Sequence, residues 1–321
     1  MAVHTKLSKY DINKILRNYN IGQLKSFSGI KDGIENTNYK LETSNNNYVI
    51  TIYEDRVKEK NLPFFLNLML KCKKTAINCP EPVYDIEGKL INNFRKKHFS
   101  IFSFLNGNSK KKWIKNDCFK VGKILALFHT INKRNKMHIP NDFSLAFWKS
   151  IIYKISKKDL EKIIPGLSSL LMNEINFIET NWPKLLPSGI IHADLFPDNV
   201  FFFKNKISGI LDFYFSCHDF LLYDLAITVN AWCFINGKYN KKNFDNLIRG
   251  YQTIRTLNKN EKKNFNVILR GASLRFLLTR IYDSIHKKES KFIKKKDPKE
   301  FFNILNFHIL LQEDYNYFNK L

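Results

Sequence analysis

Residues 189–199, Gly-Ile-Ile-His-Ala-Asp-Leu-Phe-Pro-Asp-Asn, constrain this chain more than any other stretch. Strand-type apolar runs flank them, Ile190-Ile191 before and Val200-Phe201-Phe202-Phe203 after, while Pro197-Asp198-Asn199 marks a tight loop between. A further run, Ile207 to Leu211, ends on Asp212. Loops held at strand ends are where a rigid scaffold usually carries reactive groups. A lone Asp or Asn in a turn needs no such role, because its side chain bonds its own backbone. Here His192, Asp194, the Leu that follows it, Asn199 and the downstream Leu-Asp-Phe occur together. Phosphoryl transfer from a magnesium nucleotide requires such a set: one carboxylate to orient a hydroxyl and take its proton, and an amide and a second carboxylate to face metal. Asp194 is therefore expected as the catalytic group, with Asn199 and Asp212 as Mg2+ ligands. His192 is expected to support the loop, as the His of such loops does.

Composition narrows the alternatives. A chain of 321 residues with 44% hydrophobic content can bury a core and make two lobes. Met1 to Asp11 has no apolar centre and no stretch approaches the roughly 18 apolar residues of a membrane span, so a cytoplasmic protein is expected, without a membrane partner. Five cysteines without Cys-x2-Cys spacing indicate neither a disulfide framework nor a zinc site. A net charge of +24 raises the prospect of a polyanionic partner. However, 44 Lys against 9 Arg, spread through nearly every segment, is unlike a base-reading surface. No nucleic acid partner is expected.

The N-terminal part reads as mixed strands and helices. Lys9 to Tyr19 has helical apolar spacing, Leu24 to Ser28, Thr37 to Thr43 and Tyr48 to Tyr53 read as strands, and Leu62 to Cys72 reads as a helix with Pro63 in its first turn. A hairpin is expected from Val83-Tyr84 to Lys89-Leu90, turning on Asp85 to Gly88, and a last strand from Phe99 to Leu105. Ser28 to Tyr39 joins two strands and contains Gly29 and Gly33, which would let backbone N–H groups approach phosphates. Phe104 to Gly107 would be a hinge at which adenine meets backbone. The remainder reads as mainly helical: Asp117 to His129, Leu170 to Trp182, Leu221 to Phe234 and Phe244 to Tyr251.

Several blocks amount to a family likeness: Met1 to Thr5, Gly29-Ile30 with Gly33 to Tyr39, Leu62-Pro63-Phe64-Phe65-Leu66, Asp212 to Phe220, Tyr223 to Ile227, Asn230 to Phe234 and Arg270 to Tyr282. They run in order over residues 1–283. Through them the chain resembles the homoserine kinases of the aminoglycoside-phosphotransferase and choline-kinase-like superfamily. The resemblance implies an α+β, two-lobed protein-kinase-like fold, with an antiparallel-sheet N-lobe over 1–104 and a mainly helical C-lobe over 105–321. It implies ATP and Mg2+ as cofactors and transfer of the γ-phosphoryl to the hydroxyl of L-homoserine, giving O-phospho-L-homoserine for threonine biosynthesis. Asn36, Thr37, Asn38, Thr51, Ser103 and Leu105 are then expected at the nucleotide. Thr51 stands where a phosphate-pairing Lys is usual, and the helix at Leu62 to Cys72 has no Glu to pair with one; Lys31 or Lys40 is available as a substitute cation.

At the acceptor, Tyr214, Asp224, Trp232 and Arg275 are expected. A zwitterionic substrate needs a cation and an acid. Arg270, Arg275 and Arg280 are spaced by five, about 140° apart on a helix, so all three do not line one site. Arg275 is the arginine assigned to the substrate carboxylate, with a structural salt bridge to Asp219 or Asp224 standing as an equal alternative; a helix-capping role is the alternative for Asp224. Two rival functions stand beside this one. The aromatics Tyr214, Phe215, Phe220 and Trp232 would suit a choline or ethanolamine kinase. The other rival is a non-catalytic nucleotide- or RNA-binding protein, against which the intact Asp194, Asn199 and Asp212 speak.

Overall fold

A computed structural model describes residues 4–30, 36–54, 57–132, 139–286, 296–311 and 317–318. Its chain divides into two compact units. The first takes in the residues up to Asn108 and also Phe201–Tyr214, a stretch that a boundary at residue 104 assigns to the second. The second takes in Ser109–Val200 and most of the chain after Phe215.

The first unit is built on a five-stranded antiparallel sheet. Its strands are β1 (Leu24–Gly29), β2 (Thr37–Thr43), β3 (Asn47–Ile52), β4 (Asn92–Phe94) and β5 (Lys97–Ser103), in the order β1-β2-β3-β5-β4. Along β2, residues alternate between buried and half-buried, so Thr37, Tyr39 and Leu41 share one face and Asn38 and Lys40 the other. Helix α1 (Lys9–Leu16), started by a reciprocal Ser8–Asp11 capping box, lays Ile12, Ile15 and Leu16 into the core formed with Tyr39, Leu41, Ile50 and Ile52. Helix α2 (Leu62–Lys73) carries Pro63 at its start, as expected. The expected hairpin over residues 83–90 does not form. Asp85 instead folds a local turn, its Oδ1 accepting from the N–H groups of Glu87 and Lys89, and the ladder forms later, between β4 and β5.

A two-residue strand, β6 (Asn108–Ser109), precedes the second unit. That unit contains α3 (Lys115–Asn132), α4 (Leu145–Lys154), α5 (Lys157–Ile163) and α6 (Leu167–Asn181) before the strand β7 (Ser188–Ile191). In chain order β8 (Val200–Phe203) and β9 (Lys206–Ile210) follow, within the first unit from Phe201 on, and β10 (Cys217–Phe220) returns to the second, where it pairs antiparallel with β7. The helices α7 (Leu221–Trp232), α8 (Lys241–Gln252), α9 (Lys259–Lys263), α10 (Phe265–His286) and α11 (Pro298–Leu310) complete it. Helices α4 and α5 had no sequence assignment. All five cysteines are buried and unbridged.

Candidate active site

In the second unit, β7 delivers the chain into the loop at His192 with an unusual backbone. Ala193 has φ +63°, in the left-handed region. For a residue with a Cβ and no polar side chain this costs of order 1 kcal/mol or more, and such strain persists only where the surroundings impose it. Here Asp224, from the first turn of α7, accepts from the His192 N–H at 2.7 Å through Oδ2 and from the Ala193 N–H at 2.8 Å through Oδ1. His129, near the end of α3, binds Asp224 Oδ2 through Nε2 at 2.9 Å, and its Nδ1 meets the Tyr251 hydroxyl at 2.8 Å. From α10, Arg275 Nη1 donates to the Ala193 carbonyl at 2.8 Å. Both polar groups of the strained peptide are thereby fixed from separate helices.

The environment of Asp224 sets its charge. Complete burial pushes its carboxyl up, but the His129 hydrogen bond and charge, with the charge and N–H of His192, outweigh this and hold it below the ordinary value. Asp224 is therefore an anion that joins the loop N–H groups of His192 and Ala193 to His129 of α3.

Two further contacts finish the loop. His192 is fully buried and its Nδ1 accepts from the Asp194 N–H at 3.3 Å. Trp232, also fully buried, donates from Nε1 to the Leu195 carbonyl at 2.8 Å. Asp194 itself is only half-buried, and Asn199 Nδ2 donates to its Oδ2 at 3.0 Å and to its backbone carbonyl at 2.8 Å. That geometry orients the carboxylate and leaves the Asn199 amide oxygen for a cation.

Arg275 is the most unusual cation in the second unit. It is buried, its guanidinium lies 4.9 Å from the Phe143 ring centroid and 4.6 Å from that of Phe276, and it has no carboxylate within ion-pair distance among the described residues. Arg270 and Arg280 differ: Arg270 pairs with Glu174, and Arg280 with Glu300 at 2.6 Å. The rotation between successive arginines thus sends two to internal carboxylates and leaves the third with a single backbone acceptor.

The expected nucleotide residues lie in the first unit and separate by sheet face. Thr51 Oγ1 donates to Asn38 Oδ1 at 2.7 Å across the β2–β3 pair, on the face that also bears Lys40. Thr37, on the opposite face and fully buried, donates to Glu54 and accepts from the N–H groups of His4 and Thr5. Asn36 accepts from the Glu54 N–H, and Ser103 Oγ accepts from the Glu81 N–H. A Lys–Glu pair does occur here, Lys97 with Glu54, but Glu54 is also bonded by Thr5 and Thr37 and so belongs to the Thr37 side. Lys40 pairs with Glu42 at 2.9 Å and lies 5.1 Å from the Phe104 ring. Lys31, Gly33 and the rest of residues 31–35 lie outside the described residues.

Asp212 follows β9 in the same unit with φ +58°, also in the left-handed region, where Asp is tolerated better than most. Leu105 packs on the β9 backbone: a Cβ at Gly209 would meet its methyls at 2.8 and 3.0 Å. Tyr214 stacks edge-on against Tyr53 and Phe65, each with centroids 5.6 Å apart. Among the described residues there is no cluster of three or more His, Cys, Asp or Glu.

Three of the acceptor expectations therefore change. Asp224 and Trp232 are fully buried with their side-chain polar groups bonded to residues 192–195, and Tyr214 belongs to the aromatic packing of the first unit. Arg275 keeps four of its five donors unassigned among the described hydrogen bonds. Sequence reading missed His129 and Tyr251 altogether; neither lies in a motif, and only the fold brings them beneath Asp224.

The model of the "Phosphotransferase enzyme family" matches residues 26–255. A homoserine kinase of Rhizobium rhizogenes is 40% identical over 309 residues, covering 96% of each chain. One from Brucella melitensis is 38% identical over 318 residues, covering 99% of this chain and 97% of its own. Among solved structures, an amicoumacin kinase superposes with a TM-score of 0.72 at 12% identity, over 97% of this chain and 95% of that one. That last likeness shows the kinase-like α+β fold.

Proposed function

Because the chain belongs to the phosphotransferase enzyme family and, within it, to the homoserine kinases, we propose that it transfers the γ-phosphoryl of ATP to the hydroxyl of L-homoserine. The observation that supports this most is the rigid Asp194 loop: a half-exposed carboxylate, oriented by Asn199, on a strained peptide that Asp224 and Arg275 hold from two helices. Asp194 orients the substrate hydroxyl and receives its proton as the hydroxyl oxygen bonds to the γ-phosphorus and the bond to ADP breaks. Its fixed orientation supplies alignment in advance, and proton acceptance is worth roughly 10²–10⁴-fold.

Asn199 and Asp212 are the proposed Mg2+ ligands. An amide oxygen and a carboxylate are the hard donors this ion takes, and one or two protein groups suffice because phosphates and water fill the remaining positions. The bound ion would neutralise charge on the phosphates. Asn38 and Thr51 are assigned to the triphosphate in place of the missing lysine, as a neutral hydrogen-bonding pair. Arg275 is assigned to the substrate carboxylate: a buried guanidinium fork with unspent donors calls for a planar anion. The choline and ethanolamine alternative loses two of its four aromatics, since Tyr214 packs on Tyr53 and Phe65 and Trp232 is fully buried against the loop.

A coupled ADP-release assay on L-homoserine and choline tests the substrate, with turnover expected on the former; a strong preference for choline would overturn the reading. Asp194→Asn should lower kcat by roughly 10²–10⁴-fold while ATP binding is retained.

A further inference from the structure

Helix α7 meets the catalytic loop at two places. Near its start Asp224 accepts from the His192 and Ala193 N–H groups, and at its end Trp232 Nε1 donates to the Leu195 carbonyl. The two side chains stand roughly two turns apart, about 12 Å along a helix axis. Residues 192–195 span at most about 10 Å when extended, so one rigid element can hold the chain on both sides of Asp194. His129 fixes the near end of that element through Asp224.

The far end depends on a carbonyl. In the last turn of a helix the C=O groups lack an intrahelical N–H and need another donor. That of Trp232 accepts from Trp113 Nε1 at 2.7 Å and from Asn243 Nδ2 at 3.3 Å, with the Cys118 thiol at 3.9 Å. The Trp113 bond is the shortest of these. The two indoles also meet edge to face, with centroids 5.3 Å apart. Trp113 is half-buried and lies between β6 and α3, outside any regular element. Asp117, in the first turn of α3, holds that segment: its Oδ2 accepts from the Ile114 N–H at 3.1 Å, and its Oδ1 pairs with Lys110 at 2.8 Å. Two bonds in series, from the Trp113 indole to the Trp232 carbonyl and from the Trp232 indole to the Leu195 carbonyl, thus reach the residue next to Asp194.

We propose that Trp113 is a positioning residue for the catalytic loop, acting through Trp232 to set the Leu195 carbonyl and with it the direction of the Asp194 carboxylate. This rests on Asp194 as the group that orients the acceptor hydroxyl, and adds a residue from outside the loop motif. Asp224 fixes the chain before Asp194 and Trp232 the chain after it, so a shift at either end moves the carboxylate relative to the hydroxyl. Alignment acts on the chemical step and not on uniform binding, which puts the loss in kcat.

The test compares the wild type, Trp113→Phe, Trp232→Phe and the double variant. Each is measured for kcat, for the KM of L-homoserine and of MgATP, and for amide exchange by mass spectrometry. Phe keeps an aromatic ring at each position and removes the donor. Trp232→Phe should lower kcat roughly 10- to 100-fold and Trp113→Phe roughly 3- to 10-fold, with both KM values within about twofold. In the Trp232→Phe background Trp113→Phe should cost nothing further, because its route to the loop is already cut. Both single variants should speed exchange over residues 190–200 and leave that of α6 unchanged. The proposal is overturned by an unchanged kcat or a loss confined to KM in Trp113→Phe, by a kcat factor that survives in the Trp232→Phe background, or by exchange accelerated equally in α6. A wild type without turnover on L-homoserine overturns the kinase reading instead, and exchange over residues 190–200 in Trp113→Phe then decides whether Trp113 holds the loop. The same measurement decides should Trp232→Phe fail to fold.

Discussion

Asp224→Asn separates a loop clamp from a substrate contact. Either orientation of the new amide points an NH2 group at a backbone donor: at Ala193 if it replaces Oδ1, or at His192 and His129 if it replaces Oδ2. One buried N–H loses its acceptor, at about 1–3 kcal/mol, and a charge-assisted bond is lost besides, at about 1.5–3 kcal/mol. The expected destabilisation is about 3–5 kcal/mol, a large share of the 5–15 kcal/mol typical of a domain. Relaxation of Ala193 from its left-handed conformation would also move Asp194, and a displacement near 1 Å costs of order 10²-fold in rate. Urea unfolding and steady-state kinetics should show lower stability and lower kcat, with the homoserine KM little changed. Wild-type unfolding with a raised homoserine KM would refute the clamp and restore Asp224 as a substrate ligand. The pH dependence has a definite sign. A carboxyl held below its unfolded value of 3.8 stabilises fully above that pH, and its contribution is lost as pH falls through the lower folded value. The gap between wild type and variant should therefore narrow only in strong acid.

The close approach of α3 and α8 makes a second prediction. A Cβ at Gly122 would stand 2.0 Å from the Leu247 carbonyl oxygen, and one at Gly250 would stand 2.0 Å from that of Phe119. Both obstacles are backbone, so Gly122→Ala should cost at least the roughly 1–3 kcal/mol of overpacking, read as a lowered urea midpoint. Gly122→Ala with Gly250→Ala should cost less than the sum of the two, because helices already parted by one methyl accept the other; strict additivity would show that the contacts are independent. A third prediction concerns His308, which burial first, and then the charge of Arg270, lower from 6.5 to about 3. It stays neutral in the fold while the unfolded chain protonates, so stability falls as pH drops from 6.5 towards 3, by up to about 1.4 kcal/mol per pH unit. His308→Asn should flatten that part of the pH–stability curve, and an unchanged slope would refute the assignment.

The sequence disclosed the loop because its signal is local. His192, Asp194 and Asn199 lie within eight residues between two apolar runs, and the bonds from Asp194 N–H to His192 and from Asn199 to Asp194 stay within that span. The strands over residues 37–43 and 48–53 and the opening helix were legible for the same reason. Residues 83–90 misled because Asp85-Ile86-Glu87-Gly88 is good turn chemistry whether or not strands flank it. The acceptor residues failed differently. Helix α7 is buried on every side, so no apolar stripe tells which of Asp224, Asn230 and Trp232 faces which neighbour.

What sequence cannot supply is which of several buried polar groups already has a partner, and that distinction sorts the site. Asp224, Trp232, Arg270 and Arg280 are satisfied internally, which makes them parts of the frame. Arg275 is buried with a backbone carbonyl as its acceptor and no carboxylate among the described residues, and Trp148 Nε1 is buried without an acceptor there, which is unfavourable unless something else meets them. By chain order Asp224 and Arg275 were equal candidates for substrate binding. Once the acceptors are counted they divide: the anion bonds the backbone of the loop, and the cation has no carboxylate partner among the described residues. The same reasoning bears on Asn38 and Thr51. They bond one another across two strands, so as the proposed triphosphate contacts they bring hydrogen bonds and no charge, while Lys40 on the same face is paired with Glu42.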